Sequence, residues 1–163
     1  MSNGRTLLIL PCTDQKPYSK SRTWSYVLGK VSPWRELIDV AAIDCIRNPA
    51  DKKPFGLVME WEEWKTERLD ERPSMDKIPE LEKRVLMQLE KINRNYDRVV
   101  AYVNVKSYWN VLWKLRRKYK IKMLPTLFHD CDNWNSMNAK ISPRGAFYKH
   151  IEELTRELDR LYS

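Results

Sequence analysis

The chain has 163 residues, 42% of them hydrophobic and 32% charged, with seven Trp and eight Tyr. That length and composition support one buried core without a metal or disulfide staple and exclude a disordered chain. Cys12, Cys45 and Cys131 are odd in number and far apart, with no CxxC pair, which argues against a disulfide framework or zinc ribbon and fits a reducing compartment. No apolar run approaches the roughly 20 residues of a membrane span and no secretory apolar core opens the chain. The expectation is a soluble cytoplasmic domain over 1–163 with no membrane partner, no metal and no cofactor. The net charge of +8 favours a polyanionic partner, because Lys and Arg release counterions when they neutralise phosphates. Solubility or stability alone is the competing account of that charge.

In chain order, Thr6 to Leu10 is a continuous apolar run stopped by Pro11, as in a strand buried on both faces of a parallel sheet. A helix is expected from Ser21 to Gly29 and a second strand from Leu37 to Ile46, broken by Pro49 to Pro54. Gly56 to Trp61 reads as a short strand or irregular loop, and Lys65 to Lys77 as an exposed connection. Pro79 opens an amphipathic helix in which Leu81, Val85, Leu89, Ile92 and Tyr96 recur at spacings of three and four. Arg98 to Val105 is the clearest strand by β-branched content. Lys106 to Lys120 returns to helical spacing, Met123 to Leu127 is a short strand, and Ser142-Pro143 caps a last helix. The apolar stripe of that helix is Phe147, Ile151, Leu154, Leu158 and Leu161.

Strands alternating with helices predict a three-layer α/β sandwich with a mostly parallel central sheet. In such folds functional loops lie beyond the carboxyl ends of the strands. The loops Cys12–Ser21, Asp44–Asn48, Asn104–Ser107 and Leu127–Asp132 are therefore expected to meet on one edge. No P-loop, GxGxxG turn or Ser-His-Asp elbow is present, which disfavours enzymes that use a nucleotide cofactor.

The first of those loops carries Pro11-Cys12, three residues, Lys16-Pro17-Tyr18, two residues and Ser21. This spacing resembles the signature of the archaeosine synthase core domain, and Pro54-Phe55-Gly56-Leu57-Val58 is similar to the Pro-x-Gly-x-Val segment of that family. Where the family pattern continues to a His, this chain has Trp24. The resemblance implies a fold like that of uracil-DNA glycosylases and work on a 7-cyano-7-deazaguanine base in tRNA, where an amine adds across the nitrile to give an amidine. Proteins of the family commonly carry further domains, including an RNA-binding one, so this chain resembles the core alone.

A thiolate can add to a nitrile to give a thioimidate that an amine displaces, and a nearby Lys would stabilise the thiolate. Cys12 and Lys16 are the candidates for those parts; a Cys packed as a small hydrophobe at the end of a strand is the plainer account. Lys16 and Ser21 have phosphate binding or loop ordering as alternatives. Pro17, Tyr18, Ser21, Trp24 and Gly56 are the expected substrate-binding set, with Tyr18 and Trp24 either stacking on a base or packing in the core.

Lys114 to Lys122 places six cations within nine residues. Lys106, Lys114, Arg116 and Arg117 are the candidate nucleic-acid contacts, with a solvated helix end as the alternative. His129-Asp130-Cys131-Asp132 holds metal-capable groups that adjacent residues cannot all aim at one ion, which leaves His129 or Asp130 as candidate acid or base groups. One of Glu60, Glu62 and Glu63 is a candidate to orient a purine-like base, with a solvated acidic patch preferred. The leading expectation is a core domain that binds, and goes on to modify, a 7-deazaguanine base in tRNA. The alternatives are a non-catalytic nucleic-acid-binding or complex-forming module and, from fold analogy alone, a glycosylase. A protein partner supplying further catalytic or RNA-binding parts fits either leading reading.

Overall fold

A computed structural model describes residues 4–12, 21–47, 54–59, 78–130 and 143–163. The apolar run becomes β1 (Thr6–Pro11), buried along its whole length, and it lies at the centre of the sheet. It is flanked by β2 (Ile38–Arg47) and β4 (Arg98–Tyr102), with β3 (Pro54–Val58) and β5 (Ile121–Leu124) outside them, in the order β3-β2-β1-β4-β5. β1 pairs in parallel with β2 and β4, and β4 with β5. Among these strands β3 alone runs antiparallel, against β2. The sheet is thus mixed but mostly parallel.

Because successive strand residues face opposite sides, β1 feeds two cores. Leu7 and Ile9 join Ala41, Ile43, Val99 and Ala101 under α2 (Ile78–Ile92) and α3 (Lys106–Leu115). Leu8 and Leu10 join Val40, Ala42, Val100 and Tyr102 under α1 (Arg22–Lys30), α4 (Pro143–Lys149) and α5 (Ile151–Tyr162). Helices therefore cover both faces, as expected of a three-layer sandwich. Leu81, Val85 and Leu89 of α2 are fully buried, as their spacing requires.

Several boundaries differ from the sequence reading. α3 stops at Leu115 instead of continuing to Lys120, because the chain closes with Lys120 at φ 53 and the Ile121 amide donating to the Arg116 carbonyl at 2.9 Å. This is a left-handed helix ending, usually occupied by Gly. β4 ends at Tyr102 and β5 at Leu124, before the cis Leu124–Pro125 bond and the 3-10 turn Thr126–His129. The last helix is divided at His150 into α4 and α5. Phe147, Ile151, Leu154 and Leu158 are buried, whereas Leu161 lines an open cavity of about 570 Å³ with Thr6, Asp97, Arg98 and Tyr162. That cavity lies at the amino ends of β1 and β4.

β3 is held from its outer side by one residue of α2. The Gln88 carboxamide accepts from the Leu57 amide at 2.7 Å and donates to the carbonyls of Leu57 at 3.0 Å and Phe55 at 3.1 Å. Gly56 makes this approach possible. Its φ is +72, and a Cβ there would stand 2.3 Å from Gln88 Oε1 and 2.8 Å from Arg84 Cγ.

Candidate functional site

The carboxyl ends of β1, β2, β4 and β5 share one edge because these strands are parallel. β1 reaches that edge at Pro11, and the Cys12 amide continues the ladder by donating to the Ile43 carbonyl at 3.1 Å. Cys12 is half-buried and packs against both cores. On the next strand, Asp44 and Cys45 are buried. The chain leaving β4 starts α3 at the same edge, and the third residue of that helix, Tyr108, points into the core with no exposed surface.

The Tyr108 hydroxyl is where these elements converge. It lies 3.0 Å from Cys12 Sγ, accepts from the Cys45 amide at 3.3 Å, and is placed to donate to Cys45 Sγ at 3.3 Å. Burial, chiefly, and then the neighbouring Cys12, Asp44 and Cys45 push its ionisation far above the usual tyrosine range. The hydroxyl consequently keeps its proton and is a fixed neutral donor between two sulfurs. A single proton serves one sulfur at a time. If Cys12 ionises, rotation of the O–H supplies its thiolate with a hydrogen bond.

Lys16, the expected partner of the thiolate, and Pro17 and Tyr18 of the expected substrate-binding set lie outside the described residues. Ser21 is buried at the N-cap of α1, its Oγ 2.7 Å from Thr23 Oγ1 and its carbonyl accepting from the Ser25 amide at 2.9 Å. Two expectations need correction. Trp24 is 0% exposed, and its indole N–H donates to the Pro11 carbonyl at 2.8 Å, so neither ring face is open to a base. It fastens α1 under the end of β1. Gly56 is buried, and Gln88 and Arg84 take up the space a side chain there would need.

The candidate cations divide into two places. Lys106 begins α3 at the Cys12 edge and is exposed. Lys114 is eight residues further on, about 12 Å along the helix axis, and pairs with Glu82 at 3.4 Å. Arg116 lays its guanidinium 3.7 Å over the Trp113 ring and donates to the Trp113 carbonyl at 2.6 Å. Arg117 is exposed beside it, and Lys118 pairs with Glu90 at 2.6 Å. The basic run therefore surrounds the turn into β5, at the opposite end of the sheet from Cys12. Lys106 and the basic run thus stand at the two ends of α3.

His129 turns back along β5. Its Nε2 lies 2.8 Å from the Met123 carbonyl and its ring packs edge-on to Trp113, with centroids 4.9 Å apart. These contacts aim it at the outer aromatic surface of α3 and away from Cys12. Asp130 follows at the end of the 3-10 turn; Glu60, Glu62, Glu63, Cys131 and Asp132 lie outside the described residues. Among the described residues no three His, Cys, Asp or Glu side chains are placed to share a metal ion. Nor does any helix of the described residues have the length and apolarity to cross a membrane.

Sequence reasoning missed Tyr108 and Cys45. Tyr108 reads as one member of a helical stripe and Cys45 as a strand residue, and neither has a local motif. The available signal was a polar-tipped aromatic on the inner face of a helix that begins at the edge where the Cys12 loop ends.

No family model matches the chain, and no curated protein matches it. The crystal structure of AF0587, a protein of unknown function, superposes with a TM-score of 0.53 at 22% sequence identity. The match covers 94% of this chain but 44% of that one, so the chain spans less than half of the similar protein. The likeness reaches the α/β fold and stops there.

Proposed function

We propose that the chain is an archaeosine-synthase-like core that binds a 7-cyano-7-deazaguanine base in tRNA and modifies it through Cys12. The observation that carries the reading is the Cys12 sulfur at the carboxyl edge of a parallel sheet, 3.0 Å from a buried, protonated Tyr108 hydroxyl. That edge is where α/β folds bind ligands, and a sulfur with a ready hydrogen-bond donor is suited to nucleophilic attack. The loop signature supplies the substrate class.

In this reading the Cys12 thiolate adds to the nitrile carbon, forming a C–S bond while the nitrile nitrogen takes a proton. An amine then adds to the thioimidate carbon, the C–S bond breaks, and the thiolate departs to leave an amidine. Tyr108 donates to the sulfur when it carries charge, before attack and after departure. Lys16 is the cation assigned to hold the thiolate. Oxidation state does not change in either step.

A second reading rests on Trp24. The position where the family pattern has a His is here a core indole bonded to Pro11 O, so that side chain transfers no proton to a ligand. This favours a nucleic-acid-binding or complex-forming module that kept the fold, with a partner protein supplying the chemistry.

Binding to tRNA with and without the modified base, across a salt series and followed by mass spectrometry of the nucleosides, separates the two readings. A product or adduct that disappears in Cys12→Ala supports the enzyme. Salt-sensitive binding with no mass change supports the module, and absence of binding removes both.

A further inference from the structure

The nitrile chemistry uses one thiol, yet two meet at Tyr108. Pro11 pairs with Ile43, and the Cys12 amide bonds the Ile43 carbonyl; Cys12 therefore stands opposite Asp44, with Cys45 as its diagonal neighbour on the adjacent strand. A strand spacing of about 4.8 Å and a rise of about 3.3 Å give a Cα separation of about 5.8 Å, within the range that a disulfide spans. Register alone does not make a pair, since alternate residues face opposite sides of a sheet. Here the chain leaves the ladder after Cys12, and both sulfurs contact the same hydroxyl oxygen, at 3.0 and 3.3 Å. Their exposures differ usefully: Cys12 is half-buried, whereas Cys45 is 2% exposed. Cys12 is the more accessible residue of the two, and Cys45 is shielded.

We propose that Cys12 and Cys45 are a redox-active pair that closes to an intramolecular disulfide when hydrogen peroxide oxidises Cys12. The Cys12 thiolate attacks the peroxide, the O–O bond breaks, and a sulfenic acid and one hydroxide result, the latter taking up a proton. Cys45 sulfur then attacks the sulfenic sulfur. The S–S bond forms, the S–O bond breaks, and the departing hydroxide takes the Cys45 proton as a second water. Two thiols have lost two electrons and the peroxide has gained them. Tyr108 retains the Cys45 amide as a donor throughout, so closing the bond does not strand its oxygen. Where Cys12 is also the nucleophile of the proposed base chemistry, closure switches that chemistry off; the pair itself does not depend on that reading.

The test uses the full chain with Cys131→Ser, so that two thiols remain. Stoichiometric hydrogen peroxide is expected to remove two hydrogen atoms by intact mass and to link the Cys12 and Cys45 peptides, with reversal by a dithiol reductant. With Cys45→Ala added, Cys12 is expected instead to gain one oxygen and to be trapped by a sulfenic-acid reagent. Oxygen gain at Cys12 while Cys45 is present and remains open to alkylation after unfolding would overturn the pair. Closure in a protein that forms no adduct with the nitrile-bearing tRNA would sustain the pair and remove the base chemistry. An adduct at Cys12 without closure would remove the pair alone.

Discussion

The hydroxyl of Tyr108 lies 3.0 Å from the sulfur of Cys12, across 96 residues of sequence. The same oxygen accepts the Cys45 amide, so the residue ties α3 to two strands at once. Tyr108→Phe should lower stability by about 1 to 2 kcal/mol, since a buried amide loses its acceptor. It should also slow alkylation of Cys12 at neutral pH by roughly three- to tenfold, because the thiolate loses a donor. Urea unfolding and a timed iodoacetamide reaction measure the two effects. Unchanged alkylation with reduced stability would make Tyr108 purely structural.

Gly56 and Gln88 are expected to respond as one unit. Gly56→Ala forces a side chain into positive φ and against Gln88 and Arg84, at about 2 to 4 kcal/mol. Gln88→Ala leaves the Leu57 amide without its acceptor, at about 1 to 3 kcal/mol. Since both changes act on the same packing, the double variant should be destabilised by less than the two single effects added together. Denaturant midpoints of the four proteins check this.

Asp39 gives the protein an acid-sensitive tie. The Arg5 guanidinium, first, and the Tyr96 hydroxyl at 2.8 Å hold its carboxyl below the usual aspartate range. A depressed folded-state value means that its stabilisation is complete above the unfolded value of about 3.9 and is lost as pH falls from there through the folded value. Asp39→Asn should therefore be less stable than wild type at neutral pH, and the gap should narrow below about pH 4. Melting temperatures across that range report it; a gap that widens in acid would contradict the assignment.

Charge reversal at Lys114 and Arg117 should weaken tRNA binding and flatten its dependence on salt, by roughly one unit of log–log slope for each phosphate no longer neutralised. Lys114 is already paired with Glu82, so Arg117→Glu is expected to have the larger effect. A filter-binding or fluorescence titration in increasing salt distinguishes them. An unaltered slope in the double variant would leave the α3–β5 turn without a role in binding.

Much of this architecture can be read from local pattern. The apolar run of β1 and the three-and-four spacing of α2 each follow from burial on a strand or helix; β1 occurs at the expected residues, whereas α2 ends at Ile92, and Tyr96, expected on its stripe, follows a 3-10 turn in extended backbone. Local pattern fails where contacts are long in sequence. Nothing near Cys45 or Tyr108 states that they meet; their meeting depends on the parallel register of β1 with β2 and on the entry of α3 at the shared edge. Trp24 misleads for a chemical reason, because an indole suits a base-stacking site and a core position equally until the partner of its N–H is known. Gly56 misleads likewise, its reason being a carboxamide 32 residues away. The basic run is legible as charge, but its distance from Cys12 comes only from the direction in which α3 travels.

The Gln88 carboxamide has a consequence for how the protein meets its neighbours. A strand arriving from another molecule needs unused amide and carbonyl groups along the border it joins. At β3 the Leu57 amide and the Leu57 and Phe55 carbonyls are already taken. Association by strand addition is blocked there, and any companion approaching this side must recognise side chains instead of backbone.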